Sequence, residues 1–261
     1  MLLLASACAW RCLAETEHLT VKLISDASSV EPARPLWVGL HFDIEQHWHI
    51  YWRNPGDSGE PPRVRWNLPT GFRAGDIEWP APSRLGSGSV IDYGYEAPVL
   101  LPVELQAPNS LSPGSSVTLA ADVSWLICKD ICVPGRASLT LSLPVEATPG
   151  LPSASHALFQ VAKSRAPKAA PSTWKIEAIS EKDQFVLMIY GSGMTTASFF
   201  PLEADQIDNA APQAIAALPG GVQLTLRKSD RLVKTPATLA GVLEGGPGRA
   251  YAVSVPVRSQ H

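Results

Sequence analysis

Two cysteines, Cys128 and Cys132, are the residues whose chemistry and spacing say most about this sequence. They lie in the stretch WLICKDICVPG, between an apolar strand-like run and a Pro-Gly turn. A thiol pair this close in sequence can form a disulfide, hold a soft metal ion or undergo thiol–disulfide exchange. Positions i and i+4 of one straight strand lie about 13 Å apart, which is too far for a disulfide.

The chain must therefore turn between the two cysteines, and residues 129–131 fit a three-residue hairpin loop. Cys128 then ends one strand and Cys132 begins the next, as opposed residues that a disulfide can bridge. A hairpin has no helix dipole to acidify a thiol, so near-ordinary thiol acidity is expected. Cys132 precedes a Val-Pro pair that restrains it, and we expect Cys128 to be nearer the solvent.

Three interpretations of the pair remain open on the residues alone. A structural bridge closing so small a loop contributes only about 2 kcal/mol by chain entropy, which a sandwich domain does not need. A metal site lacks a second cysteine pair, although two thiolates alone can hold Cu(I). His41, His47 and His49 are candidate extra ligands, since His47 and His49 would share one strand face. A redox pair would exchange reversibly with a partner thiol.

The first residues are typical of a secretory signal peptide, predicted here as residues 1–14. An apolar run is followed by small residues before a cleavage point after Ala14, although a basic start is missing. Cleavage would remove Cys8 and Cys12 and leave only the WLICKDICVPG pair, which favours a disulfide in an oxidising compartment. No other apolar run reaches the ~18 residues that cross a bilayer, so no membrane domain is expected in this chain.

Period-two alternation predicts an all-β protein of two antiparallel sandwich domains. The first domain is predicted over residues 15–147, with strands at 18–25, 36–44, 49–52, 63–66, 76–79, 99–105, 116–128 and 137–145. Residues 148–172 are a predicted linker with a short helix at 157–165. The second domain is predicted over residues 173–261, with strands at 174–180, 184–190, 197–201, 221–227, 237–244 and 250–257.

The remaining composition excludes several classes of function. The net charge is −3 and no clustered basic patch is present, so nucleic acid is not an expected partner. No Ser-His-Asp, phosphate-loop or zinc-protease motif is found, and no cofactor is expected. The stretch YWRNPGDSG is rich in turn formers and is predicted to be a long loop.

Three stretches resemble the N-terminal periplasmic region of the DsbD/ScsB family of thiol–disulfide interchange proteins: WLICKDICVPG, HWHIYWRNPGDSGEPP (47–62) and VIDYGYEAPVLLPVEL (90–105). The similarity is to the ScsB-like branch, linked to copper tolerance, and SFFPLEADQIDNAAPQ (198–213) extends it into the second domain. It implies an immunoglobulin-like sandwich in the periplasm with one redox pair, part of a protein-disulfide reductase. A membrane-embedded electron conduit and a thioredoxin-like protein would supply electrons for oxidised periplasmic proteins.

The resemblance assigns the redox role to Cys128 and Cys132. It also assigns a cap loop to Asp92, Tyr93 and Tyr95, whose aromatic ring would shield the sulfurs from over-oxidation. Two departures stand out: the DsbD branch has a longer cysteine spacer, and this sequence stops at His261 without the conduit or a thioredoxin-like domain. Separate polypeptides, a longer gene product or a stand-alone use remain open. A Cu(I)-binding protein and a docking module with a passive disulfide are the competing interpretations.

Overall fold

The computed structural model describes residues 13–86, 88–246 and 248–259. Within these residues the chain forms nineteen strands and one helix, so the predicted all-β, immunoglobulin-like fold class is confirmed. The predicted signal peptide lies outside the described residues except for positions 13 and 14, which begin the first strand. Over the described part of the chain, no helix has the length and apolar character needed to cross a membrane.

The chain forms two compact units, each made of separate stretches of sequence. Among the described residues, the first unit comprises 13–48, 63–78 and 97–162. Numbered along the chain, its strands are β1 (Leu13–Thr16), β2 (Leu19–Ser25), β3 (Pro35–Ile44), β5 (Arg63–Asn67), β6 (Arg73–Ile77), β9 (Val99–Gln106), β10 (Ser116–Cys128) and β11 (Cys132–Pro144).

The first unit is a sandwich of two antiparallel sheets, in the orders β1-β2-β3-β9-β6 and β11-β10-β5. Its core follows from strict alternation, since every second residue of β10 from Val117 to Ile127 is buried. Phe42 of the larger sheet meets Trp125 of the smaller one edge-on, with ring centroids 5.9 Å apart. The helix α1 (His156–Arg165) packs Phe159 and Ala162 against Leu100.

Among the described residues, the second unit comprises 49–62, 79–96 and the stretch from 163 to 259. Its strands are β4 (Ile50–Gly56), β7 (Ser83–Leu85), β8 (Asp92–Tyr95), β12 (Lys168–Ala169), β13 (Lys175–Ser180), β14 (Gln184–Tyr190), β15 (Ser198–Pro201), β16 (Ala214–Leu218), β17 (Gly221–Arg227), β18 (Thr238–Glu244) and β19 (Ala250–Ser259).

An eight-stranded sheet and a small sheet in the order β4-β8-β7 build the second unit. The larger sheet runs β15-β18-β19-β13-β14-β17-β16, with β12 added beside β19. Pairing is antiparallel except where β12 and β13 run parallel to β19. Phe185, Phe199 and Leu224 are fully buried in the core of this unit.

The predicted domain bounds remain a prediction, but the compact units group the chain differently. Residues 49–62 and 79–96 fall inside the predicted first domain and belong to the second unit. The predicted helix is present at His156–Arg165, inside the stretch assigned to the linker. Local alternation identifies a strand but carries no information about which distant strand it will pair with. A prediction made strand by strand therefore cannot show that these two segments belong to the second unit.

Candidate functional site

Cys128 and Cys132 form a disulfide at the tip of the hairpin between β10 and β11. Cys128 ends β10 and Cys132 begins β11, and the two are directly opposed in the antiparallel register. Their Cα atoms lie 4.1 Å apart, close to the ~4.5 Å of a non-hydrogen-bonded antiparallel pair. Within the loop, the backbone N–H of Lys129 donates to the carbonyl oxygen of Ile131 over 3.0 Å. The hairpin predicted from the spacing is confirmed.

The two cysteines differ in exposure, in the opposite sense to our expectation. Cys128 is only 2% exposed, whereas Cys132 is exposed. A second neighbouring strand does not cause this difference, because β5 pairs with β10 only from Ala120 to Ser124 and does not reach Cys128. Because it is the more exposed of the two, Cys132 is the cysteine that an incoming thiol reaches first.

A tryptophan and a glycine fix the hairpin below the disulfide. Trp125 of β10 is directly opposed to Gly135 of β11, and its indole fills the space over that glycine. A Cβ atom built on Gly135 would lie 2.2 Å from indole Cε2, so a larger residue cannot occupy this position without a shift. Pro134 and Gly135 thus lie within strand β11 rather than in the turn expected from their sequence.

The outer face of the same sheet carries a charged cluster around Asp122. Its carboxylate accepts hydrogen bonds from Arg65 Nη2, Asn67 Nδ2 and the Ser138 hydroxyl, at 2.6, 2.9 and 2.6 Å. The hydrogen bonds from Ser138, Arg65 and Asn67 lower the pKa of Asp122 to about 2. The cluster links β5, β10 and β11 side by side, and so it supports the sheet that presents the cysteines.

The three histidines considered as metal ligands are not assembled as expected. His47 sits in a turn with a φ of 72°, so it shares no strand face with His49. His41 lies within β3 and its pKa is lowered, chiefly by burial. Across residues 13–86, 88–246 and 248–259, no group of three or more His, Cys, Asp or Glu side chains is placed to hold a metal ion.

The predicted cap residues Asp92, Tyr93 and Tyr95 form strand β8 of the second unit, and all three are buried there. The Tyr93 hydroxyl donates to Asn209 Oδ1 over 2.8 Å, and the Tyr95 hydroxyl donates to the carbonyl oxygen of Pro80 over 2.7 Å. Burial raises the pKa of both phenols, so both are neutral donors at ordinary pH. The cap role itself stays a prediction.

A partly buried hydrogen-bond network joins these residues to the YWRNPGDSG stretch. The Asn209 side-chain amide donates to Asp57 Oδ1 over 2.9 Å, while Asp57 Oδ2 accepts the backbone N–H of Ile91 over 2.8 Å. Asp92 accepts both the N–H and the hydroxyl of Ser58. The stretch is therefore a structural element of the second unit, and strand β4 extends through it to Gly56 rather than ending before a long loop.

Sequence reasoning missed this network, although three of the motifs that carry the family resemblance contain its members. Asp57 comes from YWRNPGDSG, Tyr93 from VIDYGYEAP and Asn209 from SFFPLEADQIDNA. Each looks like an isolated turn or strand residue until the fold brings them together across more than a hundred positions. The signal in the sequence was limited to the presence of a side chain able to form hydrogen bonds in each of the three motifs.

Comparison with known proteins assigns the region that carries the disulfide. Residues 18–144 match the family model described as thiol:disulfide interchange protein DsbD, N-terminal. Residues 18–144 belong to the DsbD N-terminal family. This region of the chain contains both cysteines. It is therefore a thiol–disulfide interchange domain, and Cys128–Cys132 is its disulfide.

A solved structure has a similar fold over nearly the whole chain. The N-terminal periplasmic domain of ScsB from Proteus mirabilis matches with a TM-score of 0.68 and 17% identity, covering 97% of this chain and 98% of that chain. The resemblance to the DsbD/ScsB N-terminal region is thereby confirmed.

Other comparisons add nothing to the argument for function. The yeast GGA1 GAE domain has a TM-score of 0.30 and 14% identity, covering 50% of this chain and 95% of that chain. The human desmocollin-1 ectodomain has a TM-score of 0.21 and 12% identity, covering 87% and 44%. No protein of curated function matches this chain.

Proposed function

We propose that this chain is a periplasmic thiol–disulfide exchange module, a component of a protein-disulfide reductase. It passes electrons through the reversible Cys128–Cys132 disulfide to oxidised periplasmic proteins, in a pathway of disulfide reduction or copper tolerance. The observation that carries the proposal is the asymmetric pair in a DsbD N-terminal domain: one exposed and one buried cysteine at a hairpin tip. The periplasmic location follows the ScsB domain of the same fold.

Loading the module with electrons takes two exchange steps. A thiolate of the donor attacks Cys132 Sγ, the Cys128–Cys132 bond breaks, and Cys128 leaves as a thiolate that takes up a proton. The second thiol of the donor then attacks the donor sulfur of the mixed disulfide and releases Cys132 as a thiol. The donor dithiol is oxidised to a disulfide, while this chain gains two electrons and two protons.

Delivery of the electrons runs the exchange in the opposite direction, and Cys132 again forms the mixed disulfide. The Cys132 thiolate attacks a disulfide of the oxidised protein, and one sulfur of that protein leaves as a thiol after protonation. Cys128 attacks Cys132 Sγ in the resulting mixed disulfide, which reforms the intramolecular bond and frees the second thiol of the substrate. Cys128 is suited to this resolving role because it lies directly opposite Cys132 and is shielded from other reactants.

A membrane-embedded conduit and thioredoxin-like proteins are the proposed electron donors, as in the family that the motifs resemble. The cap proposal adds control of access: Asp92, Tyr93 and Tyr95 would cover the sulfurs until a partner binds. Tyr93 and Tyr95 are held by buried hydrogen bonds, so any opening movement must break or carry along these bonds.

The reduction potential of the purified protein tests the proposal. Equilibration with a dithiothreitol or glutathione series, followed by thiol trapping, should give a value between roughly −200 and −270 mV, the range of exchanging redox proteins. A potential well below about −300 mV would identify a passive structural bridge and favour a docking module. Titration of the reduced protein with Cu(I) distinguishes the metal-binding alternative, which requires tight binding of one equivalent.

A further inference from the structure

The hairpin loop between the two cysteines exposes an isoleucine. Ile131 is 68% exposed, and its loop neighbours Lys129 and Asp130 are exposed as well. The opposite charges of Lys129 and Asp130 cancel, so an uncharged tip presents Ile131 as its large apolar side chain. Turn loops favour Gly, Asn, Asp and Ser, whereas a β-branched residue prefers a strand. Neither the turn geometry nor a core contact explains an isoleucine at this position.

Single exposed apolar residues are common on proteins, and Leu151 and Val233 are other examples here. The position of Ile131 distinguishes it, because its Cα atom is only ~3.8 Å from that of Cys132. A mixed disulfide holds the two bridged Cα atoms within about 4.4–6.8 Å. A protein joined to Cys132 therefore has its own surface within a side chain's reach of Ile131.

We propose that Ile131 is a specificity determinant of the exchange reaction, which inserts into an apolar groove beside the reactive cysteine of a protein partner. The inference rests on the proposed function and names the partner class: proteins with an apolar surface around their reactive cysteine, rather than small hydrophilic thiols. Burial of the exposed isoleucine stabilises the encounter complex and the mixed disulfide through removal of apolar area from water.

The experiment compares a protein partner with a small thiol. The oxidised protein is mixed with reduced thioredoxin, used as the probe, or with dithiothreitol, and the reaction is stopped by acid and thiol trapping. In both reactions the reductant's dithiol becomes a disulfide while Cys128–Cys132 becomes a dithiol. Ile131→Ser should slow the thioredoxin reaction about tenfold, as expected for loss of one buried aliphatic side chain, and leave the dithiothreitol rate unchanged.

Two further variants separate docking from structure. Ile131→Val keeps most of the apolar area and should retain the thioredoxin rate within about twofold. Leu151→Ser removes a similarly exposed apolar side chain in the first unit, away from the hairpin tip in sequence, and should change neither rate. In Ile131→Ser, the thioredoxin concentration needed for half-saturation should rise. The limiting rate at saturating thioredoxin should change less than this concentration does.

The possible failures are distinguishable. Equal thioredoxin rates for the wild type and Ile131→Ser would overturn the role of Ile131 and leave the exchange function intact. An equal loss with thioredoxin and dithiothreitol would also overturn it, since that result indicates a damaged hairpin. If the wild-type disulfide reacts with dithiothreitol but does not react with reduced thioredoxin, the result contradicts the proposed exchange with proteins, and the role of Ile131 is overturned as well.

Discussion

Trp125 packs so closely over Gly135 that a single methyl group at position 135 would overlap the indole ring. The two residues are directly opposed on β10 and β11, three positions from Cys128 and from Cys132 respectively. The indole also meets Phe42 of the facing sheet. The orientation of the redox hairpin thus depends on a backbone position that only glycine fills without a shift.

The substitution Gly135→Ala should lower the free energy of unfolding by about 1–3 kcal/mol, because overpacking displaces the buried indole. Urea unfolding measures the loss, and the intrinsic tryptophan fluorescence of the folded variant should change as Trp125 moves. Gly75→Ala is the control, since its added Cβ would make a tight contact of 3.3 Å with the carbonyl oxygen of Glu104 rather than overlap a neighbouring atom. If both variants lose the same stability, the contact with Trp125 is not the cause.

Single-cysteine variants test which sulfur exchanges. Cys128→Ser leaves the exposed Cys132, which should form a mixed disulfide with a 2-pyridyl disulfide roughly tenfold or more faster than Cys128 does in Cys132→Ser. The release of pyridine-2-thione measures both rates. Equal rates, or a faster Cys128, would contradict the assignment of Cys132 as the first point of attack.

The cap proposal predicts faster alkylation of the reduced pair when an aromatic ring of β8 is removed. Tyr93→Ala and Tyr95→Ala should each raise the rate with iodoacetamide, while Tyr93→Phe, which keeps the ring, should not. Circular dichroism checks that the variants remain folded, because each Ala change also removes a buried hydrogen bond. Unchanged alkylation in both Ala variants would remove the cap role.

The network around Asn209 should contribute to the stability of the second unit. Asn209→Ala leaves the buried Tyr93 hydroxyl without its acceptor and removes the hydrogen bond to Asp57 Oδ1, and it should cost about 1–3 kcal/mol in the free energy of unfolding. Tyr93→Phe removes one member of one bond and should cost less. Tyr190→Phe is a suitable control, because that hydroxyl donates to the Met188 sulfur over 3.4 Å and a thioether is a weak acceptor.

His49 predicts a pH dependence of stability. Its pKa is lowered, mainly by burial, with Asp92 and Glu96 opposing the shift, and its Nε2 lies 3.9 Å from Asp92 Oδ2, beyond hydrogen-bond distance. The unfolded chain therefore binds more protons below about pH 6.5. The free energy of unfolding should fall as the pH decreases from 6.5 through the lowered pKa. His49→Phe should reduce this slope; an unchanged slope would assign the effect elsewhere.

Alternation predicted most of the strands and the hairpin, because burial on one face of a strand imposes a period of two. It missed β8, whose four residues are all buried and show no alternation, and β7, which has only three residues. It also placed β6 too far along the chain, at 76–79. The strand lies at Arg73–Ile77, where four of five residues are exposed. Short or one-sided strands carry too little pattern to locate.

The site was partly readable for a different reason. The spacing of Cys128 and Cys132 requires a turn if they are bridged, so the hairpin followed from covalent geometry. Their exposures did not follow, because these depend on how the rest of the fold packs around the hairpin tip, which the spacing of two cysteines does not encode. The bond between Asn54 and the carbonyl oxygen of Pro201 spans 147 positions and leaves no local signal at either residue.

The pairing of β10 with β11 is unbroken from Ser116 and Pro144 up to the cysteines. Cleavage of the disulfide therefore breaks the covalent bond at the end of this strand pair, and the remaining residue pairs keep the same register. We expect the oxidised and reduced hairpins to present nearly the same surface, so a partner has little basis for preferring to dock with one form. The direction of electron flow then depends on the reduction potentials of the partners and on the supply of reduced donor and oxidised substrate. The same contact surface can serve both loading and delivery.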